Sequence, residues 1–419
     1  MHILILPSEE YIPKHNPIAG IFQHDQAKII QQNNNQVGVI SFSFKHSFYS
    51  LFKALLGMKN KFTLDLNFSA ILCLLFKKTV NPIFFTNQVI EGINVIRCDG
   101  YWGFKKSNLS LSKYEMWIKY GDSALTHYIN KYGKPDVIHA HNMIYAGLLA
   151  VHLNKKYNIP IIVTEHSSQY AMSKIPNQLI LKLNKAFETN FSLYAVSPKL
   201  VELLENKFKV LANKVQWLPN VLDPFIENYP FKEKLKSSKF RFLNIGNLIP
   251  LKGQKELINA FAKAFKNKLD TVELIIAGFG ELKKQLQEQI ETLNLANHVK
   301  LVGLLSREEV VNQIDKTDVF VLPSHYETFG VVLIEALSRG VPVISTTCGG
   351  PECIIHKENG ILVLPKHEDE LAEALIQILK EGENFDSAVL RQECLSNYGK
   401  ESFYNKLISI YSKKISCNS

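Results

Sequence analysis

Residues 318–346 read "DVFVLPSHYETFGVVLIEALSRGVPVIST" and predict the building unit of the whole chain. The apolar runs "DVFVLPS" and "VPVIST" are typical of buried strands, and "HYETFG" is the loop that leaves the first of them. Between them, "VVLIEALSRG" predicts a helix that ends at Gly340, because glycine readily takes the left-handed backbone that follows a helix. A strand, a helix and a strand in this order predict a parallel βαβ unit.

The same alternation of apolar runs and helix-period segments extends along the rest of the chain. Because several runs are almost entirely Val, Ile and Leu, we expect helices on both faces of parallel sheets, in an α/β fold with doubly wound domains. The runs are "HILIL", "VGVIS", "DVIHAH", "PIIVTEH", "LYAVS", "FRFLNIG", "VELIIAG", "VKLVGLL", "DVFVLPS", "VPVIST" and "GILVLP".

A domain boundary is predicted in residues 221–240, where "VLDPFIENYPFKEKLKSSKF" collects prolines, lysines and serines before the alternation resumes. We therefore expect an N-terminal Rossmann-like domain over residues 1–220 and a C-terminal one over 221–395. A C-terminal helix and tail, 396–419, complete the chain. The two Rossmann-like halves are expected to face one another.

Composition indicates a globular protein, since 46% of the 419 residues are hydrophobic. Six scattered cysteines show neither CxxC pairs nor Cys/His ligand spacing, which argues against a zinc site or a disulfide framework. The start "MHILILPSEE" has no basic region or cleavage site, and no run reaches the roughly 18 to 20 apolar residues that span a bilayer. These features predict a cytoplasmic protein that does not cross membranes.

Positive charge is concentrated in the first half of the chain. Residues 1–200 hold 21 Lys and Arg against 11 Asp and Glu, a net +10, whereas the whole chain is +9. Within them, residues 44–62, "FKHSFYSLFKALLGMKNKF", suit an interfacial membrane helix, although an amphipathic helix packed on the sheet has the same pattern. An anionic membrane surface is therefore a candidate partner, while no recognised motif supports nucleic-acid binding.

Two acids, Glu327 and Glu335, flank the apolar run of the opening segment. We expect Glu327 in the loop after a strand and Glu335 in the following helix, with residues 331–334 packed inward. Ligands of open α/β sheets bind at the carboxyl ends of the strands, and carboxylates accept hydrogen bonds from sugar hydroxyls. The alternative is two solvated acids without a shared role.

At this spacing, Glu327 and Glu335 resemble the E-x7-E signature of the family 4 glycosyltransferases, which have the GT-B fold. The segments around them are similar to that family too. "NIGNLIPLKGQKELINAF" resembles its phosphate-binding turn and "STTCGGPECI" its glycine loop. In the first half, "PIAGIFQHDQAKII" resembles its first loop, and "DVIHAHN" and "IIVTEHSSQY" resemble its histidine strands.

The resemblance implies transfer of a sugar, of hexosyltransferase type, from a nucleotide diphosphate sugar to an acceptor hydroxyl with retention at the anomeric carbon. It places Glu335 on the nucleotide ribose, Glu327 with the amides of Phe329 and Gly330 on the donor sugar, and His166 on the sugar hydroxyls. It assigns catalysis to His166, Lys252 and Glu327, and donor binding to Gly20, Gly246, Asn247, Lys252, Phe329, Gly330 and Glu335. It also implies that the C-terminal helix returns to the N-terminal domain.

Lys252 is expected to stabilise the leaving diphosphate together with backbone amides near Gly20. Asn247 stands where many members of the family have an arginine, so either Lys252 holds the diphosphate with less help or another basic residue assists it. The chain contains no DxD motif, the carboxylate pair with which another glycosyltransferase fold binds a divalent cation. We therefore predict no metal and no cofactor apart from the nucleotide sugar.

A pair of histidines in one strand and a "GFG" turn are further candidates for ligand contacts. His139 and His141 alternate along a strand, and we expect one to point to each face, either as structural histidines or as ligand contacts. The "GFG" of residues 278–280 lacks the third glycine of a dinucleotide-binding motif, since Lys283 stands there. We interpret it as a strand-to-helix turn.

The predicted function is a metal-independent glycosyltransferase of cell-surface polysaccharide, lipopolysaccharide or capsule synthesis, with a glycan or lipid-linked acceptor. It would work in the cytoplasm, at the inner face of the membrane. Two alternatives remain open from the sequence. One is a nucleotide-sugar epimerase of the same fold, and the other is a sugar-nucleotide binding protein without catalysis.

Overall fold

The computed structural model describes residues 1–12, 20–45, 83–101, 109–172, 175–231, 238–381 and 385–417. The chain forms two compact units. The first comprises Met1–Tyr194, Glu205–Gln216 and Ile408–Ser419, and the second comprises Ala195–Leu204 and Trp217–Leu407. The last residues of the chain therefore belong to the same unit as the first ones, and the chain passes between the units more than once.

The first sheet has eight strands within the described residues, in the order β3-β4-β2-β1-β5-β6-β7-β8. β1 pairs in parallel with β2 and β5, and the parallel pairing continues from β2 to β4 and from β5 to β6. The strands are β1 (His2–Leu6), β2 (Gln36–Lys45), β3 (Ile83–Ile90), β4 (Ile93–Tyr101), β5 (Val137–His141), β6 (Ile161–Glu165), β7 (Ser192–Ala195) and β8 (Val215–Trp217).

The edge of this sheet departs from the predicted all-parallel pattern, because β3 and β4 form an antiparallel hairpin. Its two-residue turn is Glu91-Gly92, with φ of 48° and 83°. A turn with positive φ at both central residues matches the twist of paired strands, which is why glycine is favoured there. The hairpin was missing from our sequence prediction, although "IEGIN" between two β-rich runs carries its signal.

Helices follow the strands of the first sheet and bury their apolar sides. β1, β5 and β6 are buried at every position, as expected for strands covered on both faces. The described helices of this part of the chain are α1 (Ile21–Gln32), α2 (Leu109–Tyr132), α3 (Leu148–Tyr157), α4 (Asn177–Phe187) and α5 (Pro198–Lys207), with a π-helical turn at Met143–Gly147 and short 3-10 turns at Ser168–Tyr170 and Lys209–Leu211.

The second sheet has six strands within the described residues, in the order β11-β10-β9-β12-β13-β14, and all its pairs are parallel. The predicted α/β fold with two Rossmann-like domains is therefore confirmed. The strands are β9 (Phe240–Ile245), β10 (Val272–Ala277), β11 (Val299–Gly303), β12 (Val319–Leu322), β13 (Val343–Thr346) and β14 (Gly360–Val363).

The helices of the second unit are amphipathic in the way that their sequence predicts. In α7, Leu257, Ile258, Phe261 and Phe265 recur on one face and are buried in the core of the unit. The described helices after Trp217 are α6 (Pro224–Asn228), α7 (Gln254–Phe265), α8 (Lys283–Thr292), α9 (Arg307–Asp315), α10 (Val331–Ser338), α11 (Glu368–Glu381), α12 (Ser387–Tyr398) and α13 (Lys400–Ser416), of which α13 ends in the first unit.

Within the described ranges, no helix has the length and hydropathy that crossing a membrane requires. The segment 44–62, whose pattern suits either an interfacial helix or an amphipathic helix packed on the sheet, begins in strand β2, which extends to Lys45. Its remaining residues lie outside the part of the chain that the structure describes.

Candidate active site

Glu327 lies in the loop after β12, at the carboxyl edge of the second sheet, and its backbone is fixed by the glycine loop. Its amide donates to the Cys348 carbonyl oxygen at 3.3 Å, and the Gly350 amide donates to the Glu327 carbonyl oxygen at 2.9 Å. Gly349 has φ of 128°, and a Cβ there would lie 2.7 Å from that same oxygen. The two glycines thus let the loops pack closely enough to hold Glu327.

The side chain of Glu327 forms an ion pair with Lys252. The Lys252 ammonium contacts Glu327 Oε1, and the hydroxyl of the buried Ser324 donates to the same oxygen at 2.8 Å. The lysine and glutamate side chains are 22% and 13% exposed, so the pair is partly shielded from water. Two of the predicted catalytic residues, 75 positions apart in the sequence, therefore meet at this edge.

Lys252 owes its position to the turn between β9 and α7. It ends a short 3-10 helix, Pro250–Lys252, and is followed by Gly253 with φ of 68°. A Cβ at Gly253 would overlap the Pro323 carbonyl oxygen, just before Ser324. Only glycine therefore allows this turn to contact the loop that carries Glu327.

Gly246 and Asn247 begin that turn directly after β9. The Gly246 amide donates to the Ala277 carbonyl oxygen at 3.0 Å, whereas a Cβ on Gly246 would meet no described atom closer than 3.8 Å. Packing within the chain therefore gives no reason for glycine at 246. The Asn247 residue is exposed, and its carbonyl oxygen accepts a hydrogen bond from Gln254 Nε2 at 3.2 Å.

The "GFG" segment is a strand-to-helix turn, as predicted, because it joins β10 to α8. Its glycines permit contact with the Gly246 turn. A Cβ on Gly278 would overlap the Gly246 carbonyl oxygen, and one on Gly280 would overlap that of Leu248.

Phe329 and Gly330 lie directly before α10, and Glu335 lies in the middle of that helix. The Phe329 side chain is 1% exposed, and its ring lies 5.7 Å from that of Tyr398. The side chain therefore packs in the interior, and only the backbone amide of Phe329 is a candidate for binding the donor. Gly330 has φ of 100° and caps the helix. Glu335 is half-buried.

Our prediction that residues 331–334 all pack inward was wrong for two of them. Leu333 and Ile334 are buried, whereas Val331 and Val332 are only half-buried. Four consecutive helical residues are about 100° apart from one to the next, so they cover more than one face.

The predicted residues of the first unit, Gly20 and His166, lie near the carboxyl edge of its sheet. His166 directly follows β6; its amide donates to Asn142 Oδ1 at 2.9 Å and to Glu165 Oε1 at 3.0 Å. Gly20 has φ of 73° and begins α1. The second residue of that helix, Phe22, packs its ring 4.5 Å from the His166 ring.

His139 and His141 lie on the same face of β5, so our prediction of one on each face was wrong. Their ring centroids are 4.5 Å apart, because residues two positions apart in a strand share a face. Both are fully buried. His139 contacts the Tyr411 hydroxyl and Thr164 Oγ1, each at 2.8 Å, and His141 Nδ1 contacts His166 Nε2 at 3.1 Å.

Burial controls the charge of these two histidines. It lowers the pKa of His139 to about 3, and it lowers the pKa of His141 well below the ordinary value, with the neighbouring histidines adding to the effect. Both imidazoles are therefore neutral at physiological pH.

Sequence reasoning missed Glu165, a fully buried acid beside His166. Its carboxylate accepts hydrogen bonds from the amides of Met143, His166 and Ser167 and from the Tyr170 hydroxyl, at 2.8 to 3.0 Å. Burial raises the pKa of this carboxyl even though those donors act to lower it. The sequence feature that could have indicated Glu165 was an acid at the end of the otherwise largely apolar strand "IIVTE".

The turn after β5 has unusual backbone geometry. Asn142 has φ of 67° and ψ of 139°, and Tyr145 has φ of 70° and ψ of −74°. Positive φ in residues other than glycine costs free energy and persists where surrounding contacts impose it. Here the Asn142 side chain binds the His166 amide, so the turn helps to place His166.

No group of three or more His, Cys, Asp or Glu side chains arranged to hold a metal ion occurs among the residues that the structure describes. In the second unit, the groups suited to a phosphorylated sugar ligand are the ammonium of Lys252 and the carboxylates of Glu327 and Glu335.

Family models match most of the chain in two adjoining blocks. The model "Glycosyltransferase Family 4" matches residues 97–224, and the model "Glycosyl transferases group 1" matches residues 225–400. The second block contains Lys252, Glu327 and Glu335, and the first contains His166.

Individual relatives agree with the family models. The chain is 29% identical over 295 residues to a 2-deoxystreptamine N-acetyl-D-glucosaminyltransferase of Niallia circulans, covering 66% of this chain and 75% of the relative. It is 28% identical over 261 residues to a UDP-Gal:alpha-D-GlcNAc-diphosphoundecaprenol alpha-1,3-galactosyltransferase of Escherichia coli. That match covers 58% of this chain and 66% of the relative.

Among solved structures, a sucrose-phosphate synthase from Thermosynechococcus elongatus matches with a TM-score of 0.71 at 18% identity, over 100% of both chains. At this identity the match shows a common fold, which is GT-B. The chain belongs to the family 4 glycosyltransferases and is a sugar-transferring enzyme, as its E-x7-E segment predicted.

Proposed function

We propose that this enzyme transfers a sugar from a nucleotide diphosphate sugar to an acceptor hydroxyl, with retention at the anomeric carbon, in the synthesis of a cell-surface polysaccharide, lipopolysaccharide or capsule. The observation that carries the proposal is the Lys252–Glu327 pair, held with Ser324 at the carboxyl edge of the second sheet. Two relatives whose names specify transfer of a sugar to a sugar-containing or aminocyclitol acceptor support it.

Lys252 provides positive charge where the leaving group becomes more negative. As the bond between sugar and diphosphate breaks, negative charge grows on the phosphate oxygens. An ammonium has three N–H donors, so Lys252 can keep its contact with Glu327 and still donate to a phosphate oxygen. Fixed in this way before the donor binds, the amine needs little reorganisation during the reaction.

The carboxylates bind hydroxyl groups of the donor. Glu335, half-buried in α10, accepts hydrogen bonds from the nucleotide ribose, and Glu327 with the amides of Phe329 and Gly330 orients the sugar. Gly246 leaves space at the backbone because it carries no Cβ, and Asn247 follows it on an exposed turn. Together they allow the phosphates to approach the turn.

In the first unit, His166 contacts the hydroxyls of the transferred sugar, and amides near Gly20 contact the donor phosphates. The acceptor attacks on the same face from which the diphosphate departs, so Glu327 forms no covalent intermediate. Lys252 takes the place of a divalent cation in neutralising the leaving group, and the reaction needs no cofactor.

A screen of nucleotide sugars tests the proposal. Thermal shift identifies the donor that binds, and the enzyme is then incubated with it and candidate acceptors in EDTA. We expect nucleoside diphosphate release and a product whose NMR coupling constants show the anomeric configuration of the donor. An isomer of the donor formed without acceptor would indicate an epimerase, and donor binding without turnover on any acceptor would indicate a binding protein. An inverted product would refute retention.

We also propose that the enzyme works at the cytoplasmic face of a membrane. The net charge of +10 over residues 1–200 supports contact with anionic lipid, and the E. coli relative is named for an undecaprenol-linked acceptor. Cosedimentation with phosphatidylglycerol vesicles should fall as salt rises from low to physiological concentration, because salt screens the attraction. Absence from the vesicle pellet at low salt would contradict membrane docking and leave the transferase activity untouched.

A further inference from the structure

Lys113 is a half-buried lysine near the start of α2, in the first unit. Its ammonium lies 4.4 Å from the centroid of the Tyr145 ring. In the described part of the chain, this ammonium forms no ion pair and no hydrogen bond. A lysine is rarely withdrawn from water unless its charge is paired, because a desolvated ammonium without an anion is unfavourable. Lys113 therefore carries a charge that no described anion contacts.

The surroundings of Lys113 do not compensate for its burial. Burial lowers the pKa of Lys113, and the attraction of the exposed Glu9 offsets this effect only in part. A cation over an aromatic ring is attracted to the face of the ring, but a contacting anion would bind it more strongly. An anion that arrived from solvent would meet an ammonium that is already partly dehydrated and would supply the partner that it lacks.

Tyr145 fixes the place where this ammonium lies. Its ring is 6.0 Å from that of the buried Trp117, with 23° between the ring planes. Its backbone has φ of 70° and ψ of −74°, a strained conformation of a kind that concentrates at ligand sites. Tyr145 is only half-buried, so part of the pair that it forms with Lys113 remains accessible from solvent.

The turn that carries Tyr145 is also the turn that holds His166. It follows β5 at the carboxyl edge of the first sheet, and the Gly147 amide closes it by donating to the Asn142 carbonyl oxygen at 2.9 Å. Asn142 Oδ1 accepts a hydrogen bond from the His166 amide. Ligands of open α/β sheets bind at this edge. One closed turn therefore connects the Lys113–Tyr145 pair to the histidine that we assign to the transferred sugar.

We infer that Lys113 binds a phosphate group of the acceptor substrate. The inference rests on the proposed function, because it takes the ligand at this edge to be the acceptor of a sugar. An ammonium is a compact point charge that suits phosphate oxygens, whereas a planar carboxylate is matched best by the parallel donors of arginine. In the proposed mechanism, Lys252 and backbone amides bind the donor diphosphate, so the phosphate at Lys113 belongs to the other substrate.

A short lipid diphosphate tests this site without turnover. Geranyl diphosphate is titrated calorimetrically into the full-length protein, with UDP, GDP and ADP in excess so that a nucleotide occupies the donor site. Lys113→Met keeps the aliphatic stem and removes the charge. We expect its Kd to rise about tenfold to a hundredfold, as for a lost hydrogen bond to a charged group, and Lys113→Arg to recover most of the affinity. An equal Kd for the wild type and Lys113→Met, or no binding by the wild type, overturns the inference.

The matched control is Lys119→Met. Lys119 lies in the same helix, with its ammonium 5.2 Å from the centroid of the Tyr120 ring, but it is exposed. This variant should leave the Kd unchanged. Because Lys113 has no ion pair in the described part of the chain, Lys113→Met should melt no lower than the wild type. A lower melting temperature together with an unchanged Kd would show that Lys113 is a structural residue and overturn the inference.

A vesicle experiment separates an acceptor phosphate from the phosphate of a membrane lipid. Cosedimentation with phosphatidylglycerol vesicles should be the same for the wild type and Lys113→Met. Weaker cosedimentation of Lys113→Met, with an unchanged Kd for geranyl diphosphate, would assign Lys113 to a lipid headgroup and overturn the inference.

Steady-state kinetics assign the bound phosphate to one substrate. With the acceptor found in the screen, we expect Lys113→Met to raise the acceptor KM about tenfold and to leave the donor KM and kcat nearly unchanged, because the contact is equal in the ground and transition states. A raised donor KM with a wild-type acceptor KM would assign Lys113 to the donor and overturn the inference.

The two proposals fail in distinguishable ways. If Lys113→Met transfers sugar with the wild-type acceptor KM, the role of Lys113 is wrong and the proposed function stands. If geranyl diphosphate binds through Lys113 but no donor is turned over, the phosphate site stands and the proposed function is wrong.

Discussion

Glu327 is held through both its side chain and its backbone. Lys252 and Ser324 bind one of its carboxylate oxygens, while Cys348 and Gly350 fix its backbone. A carboxylate held by a cation and a hydroxyl keeps its orientation when a ligand arrives, and orientation before binding lowers the cost of recognition. Its place in the structure therefore suits contact with a ligand whose hydroxyl positions must be distinguished.

Glu335 should contribute to affinity for the donor. Glu335→Gln keeps the size of the side chain but replaces a charged acceptor with a neutral amide, so hydrogen bonds to the ribose weaken. We expect the Kd for the donor nucleoside diphosphate to rise about tenfold to a hundredfold, as for the loss of hydrogen bonds to a charged group. Isothermal titration measures it.

The matched control is Glu288→Gln, a similar change on an exposed glutamate of α8 in the same unit. It should leave the nucleotide Kd unchanged. If Glu335→Gln also leaves it unchanged, Glu335 does not contact the nucleotide.

The turn from β9 into α7 depends on Gly253. Alanine there meets two costs, a left-handed backbone at φ of 68° and overlap of its Cβ with the Pro323 carbonyl. We expect Gly253→Ala to lower the free energy of unfolding by about 3 kcal/mol. The left-handed backbone accounts for about 1 to 2 kcal/mol of this loss, and overpacking against Pro323 accounts for the remainder. Thermal unfolding of the full chain measures the change.

Gly303→Ala is the control that separates those two costs. Gly303 lies in the same unit and also has positive φ, 81°, but a Cβ there would have no described atom within 4 Å. Its alanine variant should lose only about 1 kcal/mol. Equal melting temperatures for the two variants would show that the contact between the Lys252 turn and the Pro323 loop is not tight.

The sequence predicted those elements whose patterns are local. The βαβ segment at 318–346 appears as expected because apolar strands, a helix and a terminal glycine each have a local sequence pattern. The antiparallel hairpin β3–β4 was missed because its strands are mixed in polarity and only Glu91-Gly92 marks the turn.

Contacts between distant residues were harder to predict than elements. The spacing of Glu327 and Glu335 indicated a site, but nothing in the sequence showed that Lys252 pairs with Glu327, since that contact depends on two turns packing together. The placement of His139 and His141 on one face could have been predicted, because residues two positions apart in a strand share a face. The hydrogen bonds of Glu165 could not, because they depend on the fold of two separate turns.

The stability of the whole protein should depend on pH through its buried histidines. In the unfolded chain an imidazole takes up a proton near pH 6.5, whereas His139 in the folded protein does so only at about pH 3. The unfolded state therefore binds more protons between these values, so stability is full above pH 6.5 and is lost as pH falls toward 3. The slope for one such group is up to about 1.4 kcal/mol per pH unit.

Urea unfolding at pH 7, 6 and 5 measures this dependence. The variant His139→Gln removes one of the titrating groups. It should be less stable at pH 7, because contacts with Tyr411 and Thr164 are altered, but its stability should decline less steeply with acid. An identical decline in both proteins would mean that His139 is not a neutral buried group.

In the proposed mechanism, Lys252 stabilises the departing diphosphate in place of a metal ion. This role is tested by the rate of nucleoside diphosphate release, with donor and acceptor saturating and EDTA present, by the wild-type enzyme and by Lys252→Ala. We predict full wild-type turnover in EDTA and a kcat at least about a hundredfold lower in Lys252→Ala, the usual effect of removing a group that stabilises transition-state charge. Equal kcat in the two proteins, or a wild-type rate abolished by EDTA and restored by a divalent cation, would show that Lys252 does not have this role.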